Sequence, residues 1–289
     1  MIRVTMSRSR GSESGSLAVR IESLAFYPVK GCHRIECDAV ELLPSGVRHD
    51  REWMITEPGG RFVTQRSDAV LATIVPTLDA AQLRLSAPGR APLHIPLDRH
   101  GERRTVQVWK DFCEAEDAGD EAAAWIAAIV GRPLRLVRFA TDAVRHASPD
   151  HARDDHAPVK FADAFPVLVT QTASLAALNT AIGERGEAPL PMNRFRPNIV
   201  LGGLEPWDED RIDRLRIGGT LLRFAKPSTR CIVTTTDQET GVRGIEPLPT
   251  LKRLRWDRSL KGVLFGQNAT VLQPGTLRTG DAVEVIWHH

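Results

Sequence analysis

LRIGGTLLRFAKPSTRCIVTTT (residues 215–236) sets two β-type runs about a Gly-Gly pair and follows them with a third, headed by an arginine and a cysteine. Leu, Ile and Phe on either side of Gly218 and Gly219 are a hairpin signal. Beyond it, the β-branched Ile-Val-Thr-Thr-Thr after Cys231 favours an extended strand. Working outward, PVLVT (166–170), NIVL (198–201), VLFGQNATVL (263–272) and DAVEVIW (281–287) also read as strands. Two segments break the pattern as helices. TASLAALNTAIG (172–183) has Thr172 as candidate N-cap and Gly183 at its end, and PLPTLKRLR (247–255) is the second.

The first half has the same bias. AVRIESLAFY (18–27), CDAVELL (37–43), REWMIT (51–56), QLRLSA (82–87) and TVQVW (105–109) are short β-type runs divided by turn residues, as in a barrel or a strongly bent sheet. One helix interrupts them: Asp117, Asp120 and Glu121 form its acidic first turn, Trp125, Ile126, Ile129 and Val130 its apolar stripe, and Gly131 and Pro133 its stop. Residues 140–160 are charged and carry two prolines, Pro149 and Pro158, which reads as an exposed connection. The expected class is α+β and β-rich: a tail over 1–16, an N-terminal β-barrel-like domain over 17–139, a linker over 140–160 and a second β-rich domain over 161–289.

Composition narrows the function classes. A chain of 289 residues with 42% hydrophobic and 26% charged residues is an ordinary globular protein, and a formal charge of +2 gives no global attraction to nucleic acid. No apolar stretch approaches the roughly 20 residues of a membrane span. The opening MIRVTMSRSRGSESGS lacks the apolar core of a secretory signal, so it reads as a disordered tail, with a degenerate organelle transit peptide as the alternative. Cys32, Cys37, Cys113 and Cys231 have no disulfide-framework spacing, so a reducing, cytoplasmic location is expected. His146, His151 and His156 recur every five residues, a period that does not put side chains on one helical face, and Pro149 interrupts them; a metal site is not expected there.

Cys231 is the candidate for chemistry. A buried free cysteine is ordinarily a small core hydrophobe. Here Arg230 precedes it and Lys226 lies four residues earlier, and both favour thiolate. A protease-like site would need a histidine, yet none occurs between His156 and His288. A phosphatase-like site would need a loop of backbone amides, which an extended strand does not supply. Ligation of a metal by one thiolate, with a cofactor bringing the other sulfurs, needs neither. RFRPNIVL (194–201) adds a pair of arginines that strand alternation would send to one face, where they could hold phosphate. YPVKGC (27–32) and HDREWM (49–54) each add a cation at a turn or strand boundary.

In order and spacing, these stretches resemble the MOSC-domain family. YPVKGC, DREW and VTQR are similar to its N-terminal β-barrel domain; FPVLVTQTASLAALN, RFRPNIVLGG, RCIVTTTDQETG, EPLPTLKRLR and LFGQN are similar to the MOSC β-barrel domain. Within the family, the likeness points to the subgroup of the mitochondrial amidoxime-reducing component and its bacterial relatives. That resemblance implies a molybdenum-pterin cofactor (Mo-molybdopterin), with Cys231 as molybdenum ligand and catalytic residue. It implies that Lys30, Gly31, Arg51, Arg196, Asn198, Thr229 and Arg230 hold the pterin and its phosphate, together with Asp163. Ala164 and Phe165 after Asp163 depart from the hydroxyl residues of the amidoxime reducers.

The implied reaction is reduction of N-hydroxylated compounds (amidoximes, hydroxylamines, N-hydroxylated bases), with Mo(IV) accepting the oxygen. No Cys-x4-Cys-x2-Cys run follows the second domain, so a separate donor is expected, either a flavin reductase with a ferredoxin or a cytochrome b5-like protein. A carrier of molybdenum cofactor or of sulfur, without reductase activity, is the alternative.

Overall fold

The computed structural model describes residues 18–152 and 157–288, so the expected tail over 1–16, His156 and His289 lie outside the described residues. Ile21 and Leu24, three residues apart, would face opposite ways on a regular strand. A register shift between Ile21 and Ser23 turns both into one core. The strand that carries them, Arg20–Phe26, pairs antiparallel with Ile199–Gly202. It therefore belongs to the largest sheet, which has nine strands and otherwise comes mainly from the second half of the chain.

That sheet places Thr220–Arg230 against Gly262–Gln273, then Val167–Gln171, Ile199–Gly202, Arg20–Phe26 and Ile35–Cys37. Val167–Gln171 and Ile199–Gly202 run parallel, which demands a crossover, and the Thr172–Gly183 helix lies within it. Gln171 is the flanking residue of this helix and Thr172 its first helical residue, a shift of one from the expected cap. Ala39–Leu43 pairs with Gly275–Arg278, and Ile21 N–H donates to the carbonyl of Asp281 at 3.0 Å. Strand pairing thus crosses between residues 17–139 and 161–289.

Three smaller sheets complete the fold. Gly275–Arg278, Ala39–Leu43 and Gly46–Val47 form one; Trp53–Thr56, Arg135–Phe139, Asp111–Asp117 and Arg103–Val108 form another; Val75–Leu78, Gln82–Ser86 and Leu93–Pro96 form the third. The Asp120–Val130 helix packs Ala122 and Ile126 into the core shared by the last two sheets and ends on Gly131 in the left-handed region. Asp117 is not in its first turn. It ends the preceding strand, where its carboxylate is bound by Arg104 and Arg135 and accepts the N–H of Gly119.

The segment expected to be an exposed connection is partly packed. Arg145, Ala147, Ala152, Ala157 and Val159 are buried, because the small alanines close a cluster with Ala162 and Phe165. Arg145 reaches the carbonyls of Lys160 and Ala162 at 2.8 and 2.7 Å. His146 is exposed, and among the described residues no three of His, Cys, Asp and Glu form a metal-binding group. The strand-rich α+β class stands as expected.

Because Ile21 fills the core of the nine-stranded sheet, Ile21→Ala should cost about 2–5 kcal/mol in urea unfolding. Residues 157–288 expressed alone should give no cooperative transition, since they lack the Arg20–Phe26 and Ala39–Leu43 strands. A cooperative transition in that fragment would show the pairing to be dispensable.

Candidate functional site

Thr220–Arg230 is a strand with three register shifts against Gly262–Gln273, the last two between Phe224 and Lys226 and between Pro227 and Thr229. Bulges re-aim side chains, and Pro227 withdraws a ladder donor. As a result Lys226, Ser228, Thr229, Arg230 and Cys231 all line one cleft of about 330 Å3. The chain does not continue as the strand that Ile-Val-Thr-Thr-Thr suggests. Ile232–Thr235 is a 3₁₀ turn, because Thr234 Oγ1 donates to the carbonyl of Cys231 at 2.9 Å and Thr235 Oγ1 to that of Ile232 at 2.8 Å. This turn ends the strand and leaves Cys231 half-buried at the cleft.

RFRPN departs from expectation in the same way. Met192–Phe195 is a 3₁₀ turn and Arg196 is left-handed (φ 58°), so Arg194 and Arg196 do not share a strand face. Arg194 turns away, to the carbonyl of Thr235 at 2.8 Å and to Asp237 at 3.0 Å. Arg196 lines the cleft, buried, with one nitrogen donating to Gln238 Oε1 at 2.9 Å. Arg51 also has a positive φ, 46°. Both guanidiniums lie 4.2 Å from the ring centroid of buried Tyr27. Arg51 pairs with Asp50 and donates to Asn198 Oδ1 at 3.2 Å, and the same oxygen takes the N–H of Leu168 at 3.1 Å.

Across the cleft, Lys30 is buried and donates to the carbonyl of Phe161 at 2.7 Å and to Asp163 Oδ1 at 2.6 Å. Burial lowers the Lys30 pKa, and the Asp163 carboxylate opposes that shift. Asp163 keeps 54% of its side chain accessible but stands deep between protein walls. Those walls would raise its pKa; Lys30, Arg66 and the indole of Trp109 outweigh them and hold the carboxyl below its ordinary range. Gly31 sits at φ 84°, where a side chain would be strained, and its carbonyl accepts from Gln65 at 2.7 Å.

Lys30, Gly31, Arg51, Asp163, Arg196, Asn198, Thr229, Arg230 and Cys231 all line this single cleft. Its charge is unbalanced. Lys30 and Arg51 have carboxylate partners; among the described residues Arg196, Arg230 and Lys226 have none within 4.0 Å. Burial pushes the Arg196 pKa down to about 10 and lowers that of Arg230, which the neighbouring Cys231 partly offsets. One buried and two half-buried cations without carboxylates, beside a thiol, suit an anion together with a thiophilic centre. Burial raises the thiol pKa of Cys32 to about 12 and of Cys113 to about 11, so these remain thiols. Sequence reasoning missed Arg66, Trp109 and Gln238 as parts of the site. Arg66 and Gln238 had a signal, since they lie in the quoted stretches VTQR and RCIVTTTDQETG; Trp109 had none.

Comparison with known proteins places the chain. The MOSC N-terminal beta barrel domain matches residues 18–133 and the MOSC domain residues 156–284. Mitochondrial amidoxime reducing component 2 of Bos taurus is 35% identical over 91% of this chain and 82% of its own length. The human mitochondrial amidoxime-reducing component 1 is 34% identical over 92% and 82%. Molybdenum cofactor sulfurase of Danio rerio is 30% identical over 92% of this chain, which spans 34% of that protein. The chain belongs to the MOSC-domain family, in the group of the amidoxime-reducing components. The first two relatives are mitochondrial by name, which overturns the expectation of a cytoplasmic protein. Cysteine spacing bears on oxidising against reducing surroundings and does not tell one reducing compartment from another.

Asp163→Asn removes the carboxylate partner of buried Lys30, so it should cost about 1–3 kcal/mol at pH 7 in urea unfolding. The cost should shrink at alkaline pH, as Lys30 deprotonates through its lowered pKa. In wild type the Asp163 contribution should persist at neutral pH and fade below about pH 4, as the pH drops from the ordinary carboxyl value through the depressed one. A pH-independent difference between the two proteins would rule out this pair as its origin.

Proposed function

We propose that this chain is a molybdenum-cofactor-dependent oxidoreductase that reduces N-hydroxylated compounds such as amidoximes, hydroxylamines and N-hydroxylated bases. One observation carries the reading: half-buried Cys231 opens into the cleft that holds the unpaired cations Arg196, Arg230 and Lys226. The donor set fits the group. Because no cluster of protein metal ligands surrounds Cys231 among the described residues, a metal there would draw its other ligands from a cofactor, and the cations would balance a pterin phosphate. When bound, that cofactor would supply two-electron cleavage of the substrate N–O bond, leaving an N–H product and water.

The residues then take distinct roles. Cys231 is the protein's sulfur ligand, at the cleft beside Arg230. Arg196, Arg230 and Lys226 hold phosphate. Lys30, Gly31, Arg51, Asn198 and Thr229 form the walls against the pterin. Asp163 Oδ1 is taken by Lys30 and Trp109, whereas among the described residues Oδ2 has only Arg66 at 4.0 Å, which leaves an acceptor for a pterin N–H. The cleft lies between a domain over 17–139 and a MOSC domain over 161–289. The two electrons come from a separate donor, a ferredoxin with its flavin reductase or a cytochrome b5-like protein. Among the described residues no helix is long and apolar enough to cross a membrane.

The similarity to molybdenum cofactor sulfurase favours a second reading, a carrier of cofactor or sulfur on Cys231. Turnover separates the two. Protein made in a cofactor-competent host should bind molybdenum and reduce benzamidoxime with an artificial donor; metal without turnover would favour the carrier.

Cys231→Ser replaces a soft ligand with a poorly ionised hydroxyl, so reduction should vanish while part of the pterin stays bound. Cys113→Ser, in a separate core cluster, should keep activity per molybdenum. Normal turnover in Cys231→Ser would end the ligand assignment. Arg196→Ala should lower pterin and molybdenum content together while activity per bound molybdenum stays near wild type; full occupancy with lost activity would move Arg196 to the substrate end.

A further inference from the structure

Trp109 stands where a large side chain is least at ease. It is the first of the two residues that join the Arg103–Val108 and Asp111–Asp117 strands, and its φ is 58°. Two-residue hairpin turns put Gly, Asn or Asp at such positions, and a bulky residue there is strained. The indole is nevertheless fixed on several sides. Its Nε1 donates to Asp163 Oδ1 at 3.0 Å, the Arg66 guanidinium lies 4.4 Å from its ring centroid, and the Phe62 ring lies 4.9 Å away. Even so Trp109 is 43% exposed.

The exposed part faces a second, larger cleft of about 1170 Å3. This cleft joins the Cys231 cleft, and Thr64, Arg66, Trp109, Asp163 and Ala164 wall both. Its lining is mixed. Arg145 pairs with Asp111 at 2.9 Å, Arg61 and Lys110 are exposed and have no carboxylate within 4.0 Å among the described residues, and Phe62 and Trp109 supply flat apolar surface. That flat surface suits a planar body, and the adjoining cleft takes the anion.

We infer that Trp109 is a specificity-determining platform: the larger cleft seats the planar aromatic body of an N-hydroxylated substrate against its indole, with the N–O end directed to the Cys231 cleft. This rests on the reductase reading. A rigid ring held in place before binding gives stacking without an ordering cost, and a substrate that lacks a ring gains nothing from it.

The test uses full-length, cofactor-loaded wild type, Trp109→Ala and Trp109→Phe, with pterin and molybdenum measured in each. The readout is the ratio of kcat/KM for benzamidoxime to that for hydroxylamine. Trp109→Ala should lower this ratio about five-fold, and Trp109→Phe, which keeps a ring but not the bond to Asp163, should stay within about two-fold of wild type. An unchanged ratio in Trp109→Ala overturns the platform, as does loss of pterin in step with activity, which would make Trp109 a cofactor wall. Equilibrium dialysis with benzamide, an uncharged planar analogue without an N–O bond, separates the two readings. Weaker benzamide binding by Trp109→Ala supports the platform even where wild type reduces neither compound, and equal binding overturns it.

Discussion

Two guanidiniums over one buried phenol ring set the terms for the rest of the cleft. Arg51 and Arg196 each lie 4.2 Å from the Tyr27 ring centroid, so two like charges are held close and out of water. Mutual repulsion and desolvation both oppose this arrangement. Three features counter them: the electron-rich ring, the Asp50 carboxylate on Arg51, and the hydrogen bond from Arg196 to Gln238. The Tyr27 hydroxyl donates to the carbonyl of Pro197 at 3.2 Å, which anchors the ring to the loop that carries Arg196. Gln238 forms a reciprocal amide pair with Gln65, at 2.9 Å in both directions. Through that pair a residue of the first half holds a cation of the second.

The backbone shares this burden. Arg51, Trp109 and Arg196 all have φ between 46° and 58°, a region that bulky residues avoid, and all line the same cleft. Such strain persists only where surrounding contacts fix it. Here they include the bond from Arg51 to the carbonyl of Arg196 at 3.3 Å and the bond from the Trp109 indole to Asp163. Contacts among the cleft's own residues thus hold these conformations, at a cost set against the stability of four sheets and their cores.

Elements were legible in the sequence where burial follows a simple period. PVLVT, NIVL, VLFGQNATVL and the Gly-Gly hairpin all form strands in the nine-stranded sheet. Misreadings cluster at the site, where side chains bond to their own backbone. Threonine is a strand former by shape, but Thr234 and Thr235 bond back three residues and wind the segment into a turn. Arg196 precedes a proline, which disfavours the helical region for it, and a left-handed residue ends the alternation that would have paired it with Arg194. Cys231 with Arg230 and Lys226 is legible from residue chemistry and the rest of the candidate set from a motif resemblance, and they converge on one cleft. Trp109 carries no site signal and emerges only from three-dimensional proximity.

The pairing of Arg20–Phe26 with Ile199–Gly202, and of Ala39–Leu43 with Gly275–Arg278, bears on how the chain is made. On the ribosome the Arg20–Phe26 strand can pair early with Ile35–Cys37, but its other edge stays unpaired until Ile199–Gly202 has been synthesised. Contacts so distant along the chain raise the contact order, and loop closure must precede any gain from pairing. Vectorial folding therefore cannot complete the large sheet early; the nascent chain keeps a β-competent apolar edge open until its last strands appear, which is when chaperone protection matters most.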